Sequence, residues 1–441
     1  MPCGLLALLC ASAVLLAGAP APGADALDGP GPWPAVRKER IRSLLGPAMA
    51  RAGVDAWLVL CRENDNDPLA AHVGGENAGG TAMLAFFRRG ETVESFALSP
   101  AGEATALRDV GLHDHVESFE RPSEIPVRLL ALLRERDPGR IAVNASEGLA
   151  AADGLSSTQR RLLEAALLPE LAGRLVSSEP LVVEWLSVKL PAEVEILRRA
   201  AALTAQLEMD AYAQVVPGVT RDHDLARYLK KRMAELGVGD AWAPDQNPSV
   251  NSGLDRGHSH ATDKVIQPGD VIQTDFGIRV HGTWVTDVQR FAYVLRPGEA
   301  APPPDVQRYW EAARRGSRIA LAAMKPGVTG YEVDRAQRQW MKEAGSEPVR
   351  WGTGHPVGYW AHDVGPALSG AQREAPPPPA SRRVLRPGQT FAFDGFFSWK
   401  VPGGTKTISV EEMAVVTAGG AEYLVPPQEE LVLIPPPAST R

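Results

Sequence analysis

Four acidic residues stand in runs that are otherwise apolar or β-branched. Asp275 ends Val271-Ile272-Gln273-Thr274, Asp287 sits in Val285-Thr286-Asp287-Val288, Asp394 follows Phe391-Ala392-Phe393, and Glu411 follows Ser409-Val410. A buried carboxylate is costly unless it is paired, protonated or bound to a cation. If these four converge on one core they repel strongly, and two divalent cations are the neutralising partner. If instead their strands have a wet face, the acids simply point outward. Five of the nine histidines, His258, His260, His281, His355 and His362, fall between or beside the acidic runs. An oxygen-rich site with one imidazole suits Mn, Co or Zn better than Mg or Ca.

The elements that must present these acids are β-hairpins. Residues Val271 to Ile278 and Thr283 to Val294 have strand character around Val280-His281-Gly282. A hairpin centred on His281 sets Asp275 opposite Asp287, each six residues away, on one face. Residues Phe391 to Val401 and Thr405 to Thr417 flank Pro402-Gly403, and a centre between those two sets Asp394 opposite Glu411. The hairpins belong to a repeat. Pro217-Gly218-Val219-Thr220 recurs as Pro326-Gly327-Val328-Thr329 at an offset of 109 residues, and Pro268-Gly269 recurs as Pro387-Gly388 at 119. Each unit reads as helix, helix, hairpin, so two units make a pseudo-symmetric domain from about Pro191 onward. A helix opening at Pro191-Ala192-Glu193 marks its start.

The rest of the chain sets the context. From about Val36 to Glu184 strand-like runs (Val54 to Leu60, Thr81 to Phe87, Thr92 to Leu98, Ile141 to Val143) alternate with helical ones, as in an α/β domain. Asp65, Asp67 and His72 read as a solvated polar loop, and Asn144-Ala145-Ser146 matches a glycosylation acceptor. Residues 1–26, with an apolar run of 13 from Leu5 to Ala17 followed by small residues, read as a signal peptide, although lysine and arginine are missing from its start. The expectation is a secreted or periplasmic protein with no integral membrane segment after removal of the leader. Cys61 is then the one remaining cysteine, which excludes a disulfide framework. With 46 basic against 53 acidic residues, the net charge of -7 gives no footprint for nucleic acid.

The motifs Val271-Ile272-Gln273-Thr274-Asp275-Phe276-Gly277, Asp287-Val288-Gln289-Arg290, His355, His362-Asp363-Val364-Gly365 and Val410-Glu411-Glu412 resemble those of the pita-bread metallopeptidases, in the aminopeptidase P, prolidase and creatinase branch. The resemblance implies an α+β chain: a creatinase-like α/β domain over 27–188, then a pita-bread catalytic domain over 189–436. It implies two divalent metal ions (Mn, Co or Zn) on Asp275, Asp287, His355, Asp394 and Glu411, with His258, His362 and Asp394 catalytic. It implies short Xaa-Pro peptides as substrates of an aminopeptidase or dipeptidase, and a homodimer. The chain departs from the family pattern in three ways. The first two aspartates are twelve residues apart rather than eleven, for which a β-bulge is the expected accommodation. Asp394 replaces the family's glutamate. Ser409 stands where relatives often carry arginine, and Trp351 where aminopeptidase P has a histidine. The Asp394 change keeps open a metal-poor homologue that binds a peptide or partner without catalysis. A creatinase-like hydrolase of non-peptide C–N bonds is a further alternative.

Overall fold

The computed structural model describes residues 31–436 apart from 168, 257–259 and 373–374. The expected leader and His258 lie outside the described residues.

The first part of the chain is built on one mixed sheet. Its strands are β1 (Ala56–Arg62), β2 (Thr81–Arg89), β3 (Thr92–Pro100), β4 (His115–Phe119), β5 (Ile141–Val143) and β6 (Leu175–Ser177), in the order β4-β3-β2-β1-β5-β6. Strand β1 pairs antiparallel with β2 and parallel with β5. Its side chains alternate between two cores, as the period-2 geometry of a strand demands. Trp57, Val59 and Cys61 pack on one side with Phe86 and Trp185; Ala56 and Leu58 pack on the other with Phe87, Leu129 and Leu133.

Two sequence expectations fail in this part. The Asp65 to His72 segment is not a solvated loop throughout. Asp65 is exposed, but Asp67 and His72 are buried. The Asp67 carboxylate accepts from Asn144 Nδ2 at 2.9 Å and from the Leu69 backbone N–H at 2.9 Å. Asn144 is likewise buried, and its Oδ1 accepts from Trp57 Nε1 at 2.8 Å and Ser178 Oγ at 2.7 Å. An amide so committed is no glycosylation acceptor in the folded chain. Local composition does not reveal that three polar side chains satisfy one another beneath a sheet.

The second part carries the repeat. The helix Pro191–Tyr212 starts at the expected proline, with Glu193 Oε2 accepting from the Leu190 N–H at 2.9 Å. Helices Asp222–Leu236 and Gly330–Ala344 end at Gly237 (φ 66°) and Gly345 (φ 79°), where a left-handed cap suits glycine. Equivalent hydrogen bonds recur in both units: Gly218 N–H to Ile266 O at 2.8 Å, and Gly327 N–H to Leu385 O at 2.9 Å. The two proline-glycine turns likewise donate, Gly269 N–H to Val294 O and Gly388 N–H to Val416 O. The repeat seen in the sequence is thus a repeat of backbone geometry.

Strands β7 (Gly239–Asp240), β8 (Ser249–Ser252), β9 (Val271–Phe276), β10 (Ile278–Val280), β11 (Trp284–Val285) and β12 (Val288–Val294) form the first unit's sheets. Strands β13 (Gly354–Pro356), β14 (Thr390–Val401), β15 (Gly404–Thr417), β16 (Gly420–Tyr423) and β17 (Val432–Ile434) complete the set. Two four-stranded sheets, β17-β12-β9-β8 and β13-β14-β15-β16, meet where β12 crosses β15. There Arg290 Nη1 donates to Glu412 Oε2 at 3.0 Å, with both side chains buried. A three-stranded sheet, β11-β10-β7, extends the first hairpin.

The second hairpin pairs Asp394 with Glu411, as the sequence predicts. The first differs by two residues. Asp275 faces Gln289, while Phe276 faces Val288 and Val280 faces Trp284, so the turn centres on Gly282 rather than His281. His281 (φ 49°) and Gly282 (φ 67°) both take positive φ, as a tight primed turn requires. A shift of two preserves the facing of every side chain, so Asp275 and Asp287 remain on one face as diagonal neighbours. The expected β-bulge is absent: the register is the same on both sides of the Gly277 gap, with equal residue counts in the two strands.

Candidate metal centre

Three side chains form the compact heart of the site. Asp287, just ahead of β12, His355 on β13 and Glu411 on β15 each offer a ligand atom, and these atoms lie within 4.8 Å of one another. His355 Nε2 is 3.7 Å from Asp287 Oδ2 and 3.7 Å from Glu411 Oε1. Its Nδ1 lies 3.2 Å from Pro356 O, which favours the tautomer that leaves the Nε2 lone pair facing the acids.

Asp275 and Asp394 fall outside that compact group but line the same cavity, of about 1080 Å³, together with His362. The His362 ring stands edge-on to His355 with centroids 4.2 Å apart. The cavity thus gathers Asp275, Asp287, His355, His362, Asp394 and Glu411. His258 lies outside the described residues.

The electrostatics bear on whether these residues fit a cation. Burial first, then the carboxylates of Glu411, Asp275 and Asp394, push the Asp287 carboxyl well above its ordinary range. Burial, then Glu411 and Asp275, do the same to Asp394, against a small opposing pull from Arg338. Asp394 Oδ1 is buried with no hydrogen-bond partner among the described residues. An orphaned carboxylate oxygen within a cluster of acids and an imidazole fits a divalent cation.

Sequence reasoning missed the residues that support the acids. Gln289 Nε2 donates to Glu411 Oε2 at 2.7 Å and to Asp275 Oδ2 at 3.4 Å. Its Oε1 accepts from Gln273 Nε2 at 2.6 Å and Ser409 Oγ at 2.8 Å, which fixes which way the amide points. Parity was the available signal, because Gln273, Gln289 and Ser409 each lie two residues from a proposed ligand on the same strand face. Ser409, at a family arginine position, therefore has a defined partner here. Trp351 also lines the cavity and packs edge-on to Phe396 at 5.8 Å.

The segment after His355 is anchored from a distance. Asp363 Oδ2 accepts from Lys189 Nζ at 3.0 Å and from Tyr359 N–H at 2.9 Å, with both charged side chains buried. Tyr359 in turn donates to Glu193, which is salt-bridged to Arg40 at 2.6 Å. This network holds the strap carrying His355 and His362 against the N-terminal part of the chain.

Residues 195–418 match the model of metallopeptidase family M24, and the chain belongs to that family. Among curated relatives, a probable dipeptidase PepE of Mycobacterium bovis is 28% identical over 252 residues, covering 56% of this chain and 61% of that protein. The chain therefore spans less than two thirds of that relative's length. Among solved structures, an Xaa-Pro dipeptidase from Bacillus anthracis aligns with a TM-score of 0.65 at 20% identity, covering 91% of this chain and 100% of the other. An X-Pro aminopeptidase from Thermotoga maritima aligns with a TM-score of 0.62 at 21% identity, covering 90% and 99%. These structural likenesses agree with the α+β, pita-bread architecture. Among the described residues no helix is long and apolar enough to cross a membrane.

Proposed function

We propose that this chain is a dinuclear metal-dependent exopeptidase acting on short peptides, of Xaa-Pro aminopeptidase or Xaa-Pro dipeptidase type. The convergence of Asp287, His355 and Glu411 at ligand distance, with Asp275 and Asp394 in the same cavity wall, carries this reading. In it, those five residues hold two divalent cations. When bound, such ions lower the pKa of a water and polarise the scissile carbonyl. The chain's own residues do the rest. Asp394 and Glu411 orient the attacking water and accept its proton, and His362, with His258, contacts the carbonyl oxygen and the leaving nitrogen. The reading includes export by the leader at 1–26, domains at 27–188 and 189–436, and a homodimer. Xaa-Pro specificity is supported by what the relatives are named for.

Asp394 favours a second reading, a homologue that binds peptide without cleaving it, because its carboxylate is one methylene shorter than the family's glutamate. The test supplies the full chain with Mn, Co or Zn and follows Xaa-Pro and Xaa-Pro-Xaa cleavage with and without chelator. The expected outcome is turnover that chelator abolishes. Protein that neither binds metal nor cleaves overturns the peptidase reading and favours the second, and a large gain in turnover on introducing Asp394→Glu shows that Asp394 had disabled an otherwise sound site.

A further inference from the structure

A second pocket opens beside the metal centre and contains none of its proposed ligands. It encloses about 350 Å³, and Ser249 and Trp351 line both it and the main cavity. The strands carry one continuous face from the acids into this pocket. On β8 and β9, Asn251 pairs with Gln273 two residues along from the pair Ser249 and Asp275. On β15, Thr405, Thr407 and Ser409 precede Glu411 at two-residue steps. Two residues of strand advance ~7 Å, within reach of one side chain on a peptide held at the acidic cluster. Ser409 stands where relatives often carry arginine, and its short side chain leaves the pocket unfilled.

The pocket is polar without a net charge. Among the described residues its apolar lining comes from Pro348, Val349 and Trp351 alone, and its two charged side chains, Asp255 and Arg350, are of opposite sign. Asn251 is 3% exposed, and its Oδ1 is buried with no hydrogen-bond partner among the described residues. Gln273 commits Nε2 to Gln289 Oε1 at 2.6 Å and to Ser409 Oγ at 3.1 Å, which leaves its Oε1 as an acceptor. Thr407 Oγ1 donates to Ser398 Oγ at 2.9 Å, so the Ser398 hydroxyl keeps its own proton to donate. Amides and hydroxyls arranged this way complement a group that both donates and accepts, and a carboxamide does both.

We infer that this side pocket receives the side chain of the residue before proline and selects an uncharged hydrogen-bonding one, asparagine or glutamine above all, over an apolar one of the same shape. This rests on the Xaa-Pro reading above and names the class of its Xaa. An apolar side chain in the pocket displaces water from Asn251, Gln273 and Ser398 and returns no hydrogen bond, so the site rejects it.

The test separates binding from turnover. The hydroxamates of L-asparagine and L-leucine have side chains of nearly the same shape and a metal-binding group in place of a scissile bond. Their binding to the manganese-supplied full chain is measured by calorimetry for wild type, Asn251→Leu and Asn251→Ala. Wild type is expected to bind the asparagine compound roughly 10- to 100-fold tighter, the cost of leaving buried polar groups unpaired. Asn251→Leu is expected to abolish that preference with its Tm unchanged or higher, since an apolar group of the same shape replaces an orphaned buried amide. Equal binding by wild type, tighter binding of the leucine compound, or binding of neither overturns the inference, as does a folded Asn251→Leu that keeps the preference. Should Asn251→Leu fail to fold, Asn251→Ala, which adds no bulk, decides by the same comparison. Cleavage of asparaginyl-proline and leucyl-proline is followed in parallel. Failure to cleave either overturns the peptidase reading, while the hydroxamate comparison still decides the role of the pocket.

Discussion

A single amide orients the two carboxylates that flank the centre. Gln289 touches both Glu411 and Asp275 through Nε2, and its own direction is set by Gln273 and Ser409. Hydrogen bonds of this kind hold ligands in the geometry a cation needs, and their loss typically weakens metal affinity 10- to 100-fold. Gln289→Leu, similar in volume, is therefore expected to weaken metal binding by about that factor. Metal titration of the purified variant checks this, and affinity equal to wild type would show that the acids are positioned without the amide. Asp394 differs in kind. Its Oδ1 is buried with no hydrogen-bond partner among the described residues, and burial with the neighbouring acids pushes its carboxyl well above the ordinary range.

At the scale of elements, the second hairpin depends on a close approach between a helix and a strand. Gly395 follows Asp394 on β14, and a Cβ there would meet Ala313 O at 2.0 Å and Ser317 N at 2.3 Å, both in helix Pro304–Ala323. Those are backbone atoms that cannot rotate away. Gly395→Ala must push the helix off the strand, which is expected to destabilise by about 1–3 kcal/mol, as overpacked cores do. A thermal melt against wild type measures it, and an unchanged Tm would mean the helix shifts without penalty. The first hairpin shows how much an element's end decides. Its two-residue shift from the expected pairing arises at the turn, where His281 and Gly282 both adopt positive φ. The alternation of side chains is untouched, which is why the carboxylates still gather.

For the whole molecule, one buried imidazole makes stability depend on pH. His72 lies among Trp33, Trp185, Tyr359 and Trp360, and burial, with Arg40 next, lowers its pKa from 6.5 to about 3. The folded state therefore resists a proton that the unfolded chain accepts. The stabilisation is complete above about pH 6.5 and declines as pH falls from 6.5 toward 3, by up to about 1.4 kcal/mol per pH unit. Tm measured at pH 7 and pH 5 is expected to drop, and His72→Phe to flatten that drop. An identical pH dependence in the variant would remove His72 as its source.

Much of this molecule is local and was therefore open to reading from the chain itself. Strand alternation has a period of two, so acids at matched distances from a glycine turn must share a face, and Asp394 and Glu411 pair as counted. The proline-glycine repeat likewise encodes turns that recur with the same hydrogen bonds. What needed the tertiary structure is whatever depends on a distant partner. Asp67 and Asn144 satisfy each other across the N-terminal fold; Gln289 reaches Glu411 across 122 residues; and Arg279 is held by backbone carbonyls from two remote segments. Local sequence specifies which way a side chain leaves its strand. Only packing decides what it meets there, and in a low-dielectric interior that meeting sets the charge, orientation and chemistry of the group.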